Sequence, residues 1–157
     1  MIGEELVTLD GSENASVQFA TCCRPVPGDE IVGYLGRGEG LVVHRNDCAV
    51  AKRLQHKDSE RFISVEWADE PVRPFETGLL VTVVNGKGVL ARVAAALAST
   101  EADIAHVDMD DERAQDATDL RFIVAVRDRT HLESAIRTLR RTPSVIRVQR
   151  VRPGAPS

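Results

Sequence analysis

Leu79-Leu80-Val81-Thr82-Val83-Val84-Asn85-Gly86-Lys87-Gly88-Val89-Leu90-Ala91-Arg92-Val93-Ala94-Ala95-Ala96-Leu97 changes its hydrophobic period halfway along. Up to Val84 the run is short, apolar and rich in β-branched residues, as a buried strand reads. Asn85-Gly86-Lys87-Gly88 is a turn by composition. Beyond it Leu90, Val93, Ala94 and Leu97 recur at i, i+3, i+4 and i+7, the stripe of a helix over residues 89–100. The same grammar continues downstream. Residues 104–109 read as a strand and 110–118 as a polar hairpin loop. Residues 120–126 form a strand with Leu120, Phe122, Val124 and Val126 on one face. Residues 130–141 read as a helix buried through Leu132, Ala135, Ile136 and Leu139, and 145–151 as a last strand. The order βαββαβ predicts a ferredoxin-like arrangement, a four-stranded antiparallel sheet with two helices on one face. Residues 153–157 are expected to be disordered.

Upstream the pattern is shorter and punctuated by glycine. Residues 5–9 and 14–19 read as strands separated by Asp10-Gly11-Ser12. Pro25, Pro27 and Gly28-Asp29 bend the chain. Residues 31–34 and 41–44 are strands around a 36–40 loop. Asp47 is placed to cap a helix that starts near Cys48 and runs to about residue 55. Residues 62–67 alternate, with Ile63, Val65 and Trp67 on one face. The fold class is therefore α+β: a small glycine-rich, cysteine-containing α+β domain (1–70), a linker (71–75), a βαββαβ domain (76–152) and a tail (153–157).

Charge supports that division. Residues 1–70 carry 7 Lys/Arg against 13 Asp/Glu, a net of −6, and residues 71–157 carry 13 against 11, a net of +2. Aromatics are scarce at 4%, which weakens any case for a base-stacking surface. No apolar run approaches the ~20 residues that cross a bilayer. The first residues lack the basic region and apolar core of a secretory signal. A cytoplasmic protein without membrane contact is expected. Three cysteines, an odd number, fit a reducing compartment better than a disulfide framework.

All three cysteines fall between Cys22 and Cys48, with His44 among them. Cys22, Cys23, His44 and Cys48 are a candidate zinc set, since thiolate and imidazole suit a borderline-soft ion. The first domain has a thin core for ~70 residues, where a structural metal helps most. Cys22 and Cys23 are adjacent, and neighbouring side chains diverge on a strand. A metal-free buried thiol cluster and a catalytic Cys–His pair are the alternatives. Gly36-Arg37-Gly38-Glu39-Gly40 leads into a strand and lacks a Lys-Ser/Thr pair, so it reads as a hairpin loop and not a phosphate cradle.

Asn85-Gly86-Lys87-Gly88-Val89-Leu90 joins a strand end to a helix N-terminus, whose N–H groups and dipole favour a carboxylate. It is either a site for a small amino acid or a plain tight turn. Arg137, Arg140, Arg141, Arg147, Arg150 and Arg152 make the C-terminal part locally positive, no acidic residue following Glu133. They are either an RNA-phosphate surface or solvated faces. His106, Asp108 and Asp110 read as a polar sheet face.

The string Ala20-Thr21-Cys22-Cys23-Arg24-Pro25-Val26-Pro27-Gly28-Asp29-Glu30-Ile31-Val32-Gly33, followed by Gly40-Leu41-Val42-Val43-His44-Arg45-Asn46-Asp47-Cys48, resembles the cysteine-rich, zinc-finger-like region of the long RelA/SpoT homologues. These are the bifunctional (p)ppGpp synthetases/hydrolases of the bacterial stringent response. The βαββαβ part resembles the ACT domain that ends them. The resemblance implies a regulatory region, itself no enzyme, with synthetase and hydrolase domains upstream in the same chain. It implies a homodimer, an amino-acid ligand such as a branched-chain amino acid at Asn85, Gly86, Gly88, Val89 and Leu90 with Ile104 opposite, and zinc as the cofactor of Cys22, Cys23, His44 and Cys48. In ribosome-binding members these regions contact ribosomal RNA, for which Arg137, Arg140, Arg141 and Arg147 are the candidates. Asn85 stands where many amino-acid-binding ACT domains carry Asp.

Overall fold

The computed structural model describes residues 6–13, 16–109 and 116–151. It divides the chain into two compact units, one ending at Pro74 and one spanning Phe75–Val151.

The first unit holds β1 (Leu6–Leu9), β2 (Val17–Phe19), β3 (Ile31–Gly36), β4 (Gly40–Arg45), α1 (Ala49–Lys57), a 3₁₀ turn (Ser59–Arg61) and β5 (Phe62–Trp67). Its five strands order as β1-β5-β3-β4-β2. At the centre the β3–β4 hairpin is antiparallel and β5 lies antiparallel on the other side of β3, while the two edges are parallel, β1 on β5 and β2 on β4. Alternation along β4 splits the core between two faces. Leu41 and Val43 pack with Leu9 and Val65, against Phe19 and Trp67. The Phe19 and Trp67 rings stack at 5.6 Å. On the opposite face Ala20, Cys23, Cys48 and Ala51 form a second cluster with Cys22, Val32, Val42 and Val50. The Gly36-to-Gly40 stretch is the β3–β4 hairpin, Gly36 pairing with Gly40.

The segment after β5 is tied back to this unit. The Val72 N–H donates to the Asp10 carbonyl at 2.7 Å, and Arg73 Nε donates to the Gly11 carbonyl at 2.7 Å. Pro74 has no N–H to give a ladder, and the next strand starts at the residue after it.

The second unit is β6 (Phe75–Val84), α2 (Val89–Ser99), β7 (Asp103–Met109), β8 (Ala117–Val126), α3 (Arg129–Arg140) and β9 (Val145–Arg150). The sheet order β7-β8-β6-β9 is antiparallel throughout, the ferredoxin-like topology that the period change predicts. The β6–β8 ladder runs the full ten residues, from Phe75↔Val126 to Val84↔Ala117. The strand thus starts four residues before Leu79, and Ala117 and Thr118 belong to β8 and not to a loop. Leu79, Val81, Val83, Leu120, Phe122, Val124 and Val126 are buried, and Val93, Leu97, Leu132, Ala135 and Leu139 of the helices are buried with them. Each such Val, Leu or Phe contributes about 1.5–3 kcal/mol of burial, so this stripe is what fixes the sheet against its helices. The hairpin-loop reading of residues 110–115 and the tail at 153–157 lie outside the described residues. Among the described residues no helix is long and apolar enough to cross a membrane.

Candidate functional site

Two places stand out for their chemistry among the described residues. The first is the thiol face of the first unit. The Arg24 N–H donates to the Ala20 carbonyl at 2.9 Å, closing a turn over Thr21, Cys22 and Cys23. Arg24 completes it with φ of 46°. On such a turn neighbouring side chains stand roughly 100° apart, not opposed as on a strand, so both sulfurs face the sheet. The following Pro-Val-Pro-Gly-Asp segment is pinned by Asp29, whose buried carboxylate accepts the Val26 N–H at 2.8 Å. Gly28 makes that possible with φ of 103°, a conformation that favours glycine. The Trp67 indole N–H donates to the Asp29 carbonyl at 3.0 Å, tying the loop to β5.

His44 enters from β4 and Cys48 from the start of α1. Cys22 Sγ lies 3.5 Å from His44 Nδ1 and 3.6 Å from Cys48 Sγ, and Cys23 Sγ lies 3.9 Å from His44 Nδ1. All four donor atoms fall within 4.8 Å of one another. A tetrahedron with zinc bond lengths has S···S edges of about 3.8 Å and S···N edges of about 3.6 Å. The quartet therefore fits a four-coordinate ion with little adjustment. The Arg45 backbone N–H points at Cys23 Sγ at 3.2 Å, the contact that steadies a thiolate ligand. Asp47 is not the cap of α1. The N-cap is Cys48, without a side-chain cap bond, and Asp47 pairs with Arg45 at 3.0 Å.

Burial raises the Cys23 thiol well above its ordinary range, helped by the neighbouring Cys22 and Cys48. It raises Cys22 too, Cys48 beside it being the next cause. Burial lowers His44. Without a cation all three groups are thus held neutral. A metal ion reverses the balance for the thiols by stabilising their anions, and neutral His44 is already in its ligand form.

The second place is the β6–α2 turn. A cavity of about 440 Å³ is lined by Val83, Asn85, Gly86, Gly88, Val89, Leu90, Ala91, Ala94, Met109, Thr118 and Leu120. Gly88 is the N-cap of α2, with φ of 74° and no side-chain cap bond, and the first turn contains no acidic residue. The N–H groups of that turn have no intrahelical acceptor, and the helix dipole adds its positive end there. Apart from Asn85 and Thr118 the lining side chains are apolar. The site thus offers anion-directed donors beside space for a small hydrophobic group.

Asn85, Gly86, Gly88, Val89 and Leu90 all line this cavity, and Ile104 does not. Ile104 pairs with Val124 at the far end of β7, whereas Met109, opposite Leu120, reaches the cavity. Met109, Thr118 and Leu120 form the wall that sequence reading left out. The one signal for it was that a βαββαβ order sets the third strand between the first and second.

The arginines do not share one face. Arg137, Arg140 and Arg141 are exposed at the end of α3. Arg147 pairs with Thr82 on the side of the sheet away from the helices, where the Thr82 hydroxyl donates to Asp119 at 2.6 Å. Arg150 Nε donates to the Thr77 hydroxyl at 3.1 Å, and Arg152 lies outside the described residues.

A sequence model of the RelA/SpoT RIS domain matches residues 7–68, and a model of the ACT domain matches residues 71–150. The bifunctional (p)ppGpp synthase/hydrolase SpoT of Escherichia coli (strain K12) is 37% identical over 147 residues, 92% of this chain and 20% of that protein. The bifunctional (p)ppGpp synthase/hydrolase RelA of Mycobacterium tuberculosis (strain ATCC 25618 / H37Rv) is 34% identical over 145 residues, 92% of this chain and 19% of that protein. The chain thus spans about one fifth of the length of these curated relatives. A crystal structure of the ACT domain from the GTP pyrophosphokinase of Chlorobium tepidum aligns with TM-score 0.44 at 14% identity, covering 50% of this chain and 99% of that one.

Proposed function

Because the chain belongs to the RelA/SpoT family, of which it carries the RIS and ACT domains in tandem, we propose that it is the regulatory region of a cytoplasmic (p)ppGpp synthetase/hydrolase. In this reading it performs no catalysis itself. It senses a small apolar amino acid and biases synthetase and hydrolase domains elsewhere in the parent protein. The observation that carries the reading is the cavity at the β6–α2 turn, which sets uncapped helix N–H groups beside Val83, Met109 and Leu120.

An amino acid would place its carboxylate on the N–H groups of Val89 and Leu90 and its side chain against the apolar wall. A branched-chain side chain suits a wall of Val, Leu and Met. Asn85 offers a neutral oxygen where an ammonium group would sit. Ile104, outside the cavity of a single chain, would contribute only from a second subunit of a homodimer. For regulation, the ligand must bind the two states of the parent with different affinity.

The Cys22, Cys23, His44 and Cys48 quartet would hold zinc as a structural brace, since four protein donors leave no open position for substrate. With a metal held there, that closed donor set also argues against an enzyme's catalytic Cys–His pair. The test of the sensing role is titration calorimetry with valine, isoleucine and leucine on the folded chain. Saturable heat is expected for at least one of them. Absence of heat at millimolar ligand removes the sensing role and leaves an interaction module.

A further inference from the structure

The thiol cluster is asymmetric, and the asymmetry points to a second chemistry. Cys22 is the half-exposed member, while Cys23 is 5% exposed and Cys48 is fully buried. A reagent from solvent therefore meets Cys22 first. Cys48 Sγ stands directly behind it at 3.6 Å. Cys23 is the poorer neighbour for bonding to Cys22. Its sulfur accepts the Arg45 N–H, and a bond between adjacent cysteines closes a strained small ring. We propose that Cys22 and Cys48 are a reversible disulfide pair, with Cys22 attacking a low-molecular-weight disulfide and Cys48 resolving the adduct, while Cys23 remains a thiol.

The step balances as two successive exchanges. At the mildly alkaline pH of the exchange Cys22 Sγ gives its proton to solvent base and attacks one sulfur of the small disulfide. One small thiolate leaves and takes a proton back from solvent. Cys48 Sγ then attacks Cys22 Sγ, its own proton going to the second departing thiolate. The protein loses two electrons and two protons, and the small disulfide is reduced to two thiols. Closing the sulfur pair from 3.6 Å to a bond of about 2.05 Å needs a shift of roughly 1.5 Å, shared between a turn residue and a helix N-cap. Neither side chain is locked inside a helix. Cys48 also sits at the N-terminus of α1, where free N–H groups favour developing negative charge.

The consequence is an exchange of braces. The disulfide would consume two of the four donors, and Cys23 with His44 alone do not make a tetrahedral site. Oxidation would then expel a bound metal while still joining the residue-20 turn to α1. The inference rests on the sulfur positions and stands whether or not the quartet binds zinc.

The test treats chelator-stripped protein with oxidised glutathione at mildly alkaline pH, in buffer and in denaturing urea. Alkylation and peptide mass spectrometry follow. In buffer the expected product is a Cys22–Cys48 linked peptide with Cys23 alkylated, and in urea a mixture of pairings. Cys48→Ser should stall with glutathione on Cys22, and Cys23→Ser should still form the linked peptide. A Cys22–Cys23 bond, a stable glutathione adduct on the unsubstituted protein, or the same pairing distribution in buffer and urea would each overturn the proposal. Zinc-loaded protein, followed with a zinc indicator, should release its metal as two thiols disappear. A protein that never takes up zinc defeats the metal reading alone, because the linked peptide is scored on stripped protein.

Discussion

Cys22 Sγ and His44 Nδ1 lie 3.5 Å apart although 22 residues separate them in sequence. A turn closed by the Arg24 N–H and the end of a central strand bring them together, and Cys48 joins from a helix start.

Metal content is the first consequence. Protein purified from zinc-replete medium should carry one zinc per chain by elemental analysis, and a strong chelator should lower its melting temperature. Cys48→Ser should cost more stability than Cys22→Ser. It puts a hydroxyl at a fully buried site, where an unsatisfied polar group costs about 1–3 kcal/mol. Metal content far below one per chain would leave the quartet as a thiol cluster.

The pH dependence of the metal-free protein follows from the same groups. Burial depresses His44 below its ordinary 6.5. Its contribution is complete above the unfolded value and is lost as pH falls through the folded one. Burial raises Cys22 above its ordinary 9.0, and Cys23 likewise. Their contribution is complete below the unfolded value and is lost as pH rises through the folded ones. Denaturant midpoints should therefore peak between those two ordinary values and fall on either side. His44→Gln should flatten the acid limb only. Zinc needs thiolates, so its affinity should rise with pH and binding should release protons.

The helix layer of the second unit has its own fixing point. The His131 ring is buried, with Nδ1 accepting the Arg127 N–H at 3.0 Å and Nε2 donating to the Thr100 carbonyl at 2.7 Å. It ties the start of α3 to the end of α2. His131→Ala removes both bonds and leaves a cavity, and should lower stability by about 2–4 kcal/mol in urea titration. Metal content should stay unchanged. An unchanged urea midpoint would contradict this role.

At the proposed amino-acid site two substitutions should act in opposite directions. Asn85→Asp puts a charge where the ligand ammonium is placed, worth about 1 kcal/mol or roughly fivefold tighter binding by calorimetry. Gly88→Ala forces a side chain into a left-handed position at φ of 74°. That costs about 1 kcal/mol of stability and should weaken binding by moving the helix N-terminus. Equal affinity in all three proteins would place the ligand elsewhere.

The βαββαβ half was legible because its helices and strands differ in hydrophobic period, and Leu120 to Val126 alternates without interruption. The cavity's near wall was legible as well, because Asn85 to Leu90 are contiguous. Its far wall was not. Met109 and Leu120 meet through the β7–β8 register, which local pattern does not contain. In the first half the strands were visible, but their parallel edge pairings were not. The pairing of Leu6 with Ser64 spans most of that unit. Convergence of Cys22 and Cys23 depended on the turn from Ala20 to Arg24, including a positive φ at an arginine that no composition rule signals. Asp47 looked like a cap by type and position, yet its carboxylate went to Arg45.

Amide chemical shifts of the labelled chain during a valine titration test most directly the proposal that the N–H groups at the start of α2 receive an amino-acid carboxylate. Saturable shifts are expected at Val89 and Leu90, with methyl shifts at Val83, Met109 and Leu120 following the same curve. Unperturbed Val89 and Leu90 amides at millimolar valine, isoleucine and leucine would contradict it.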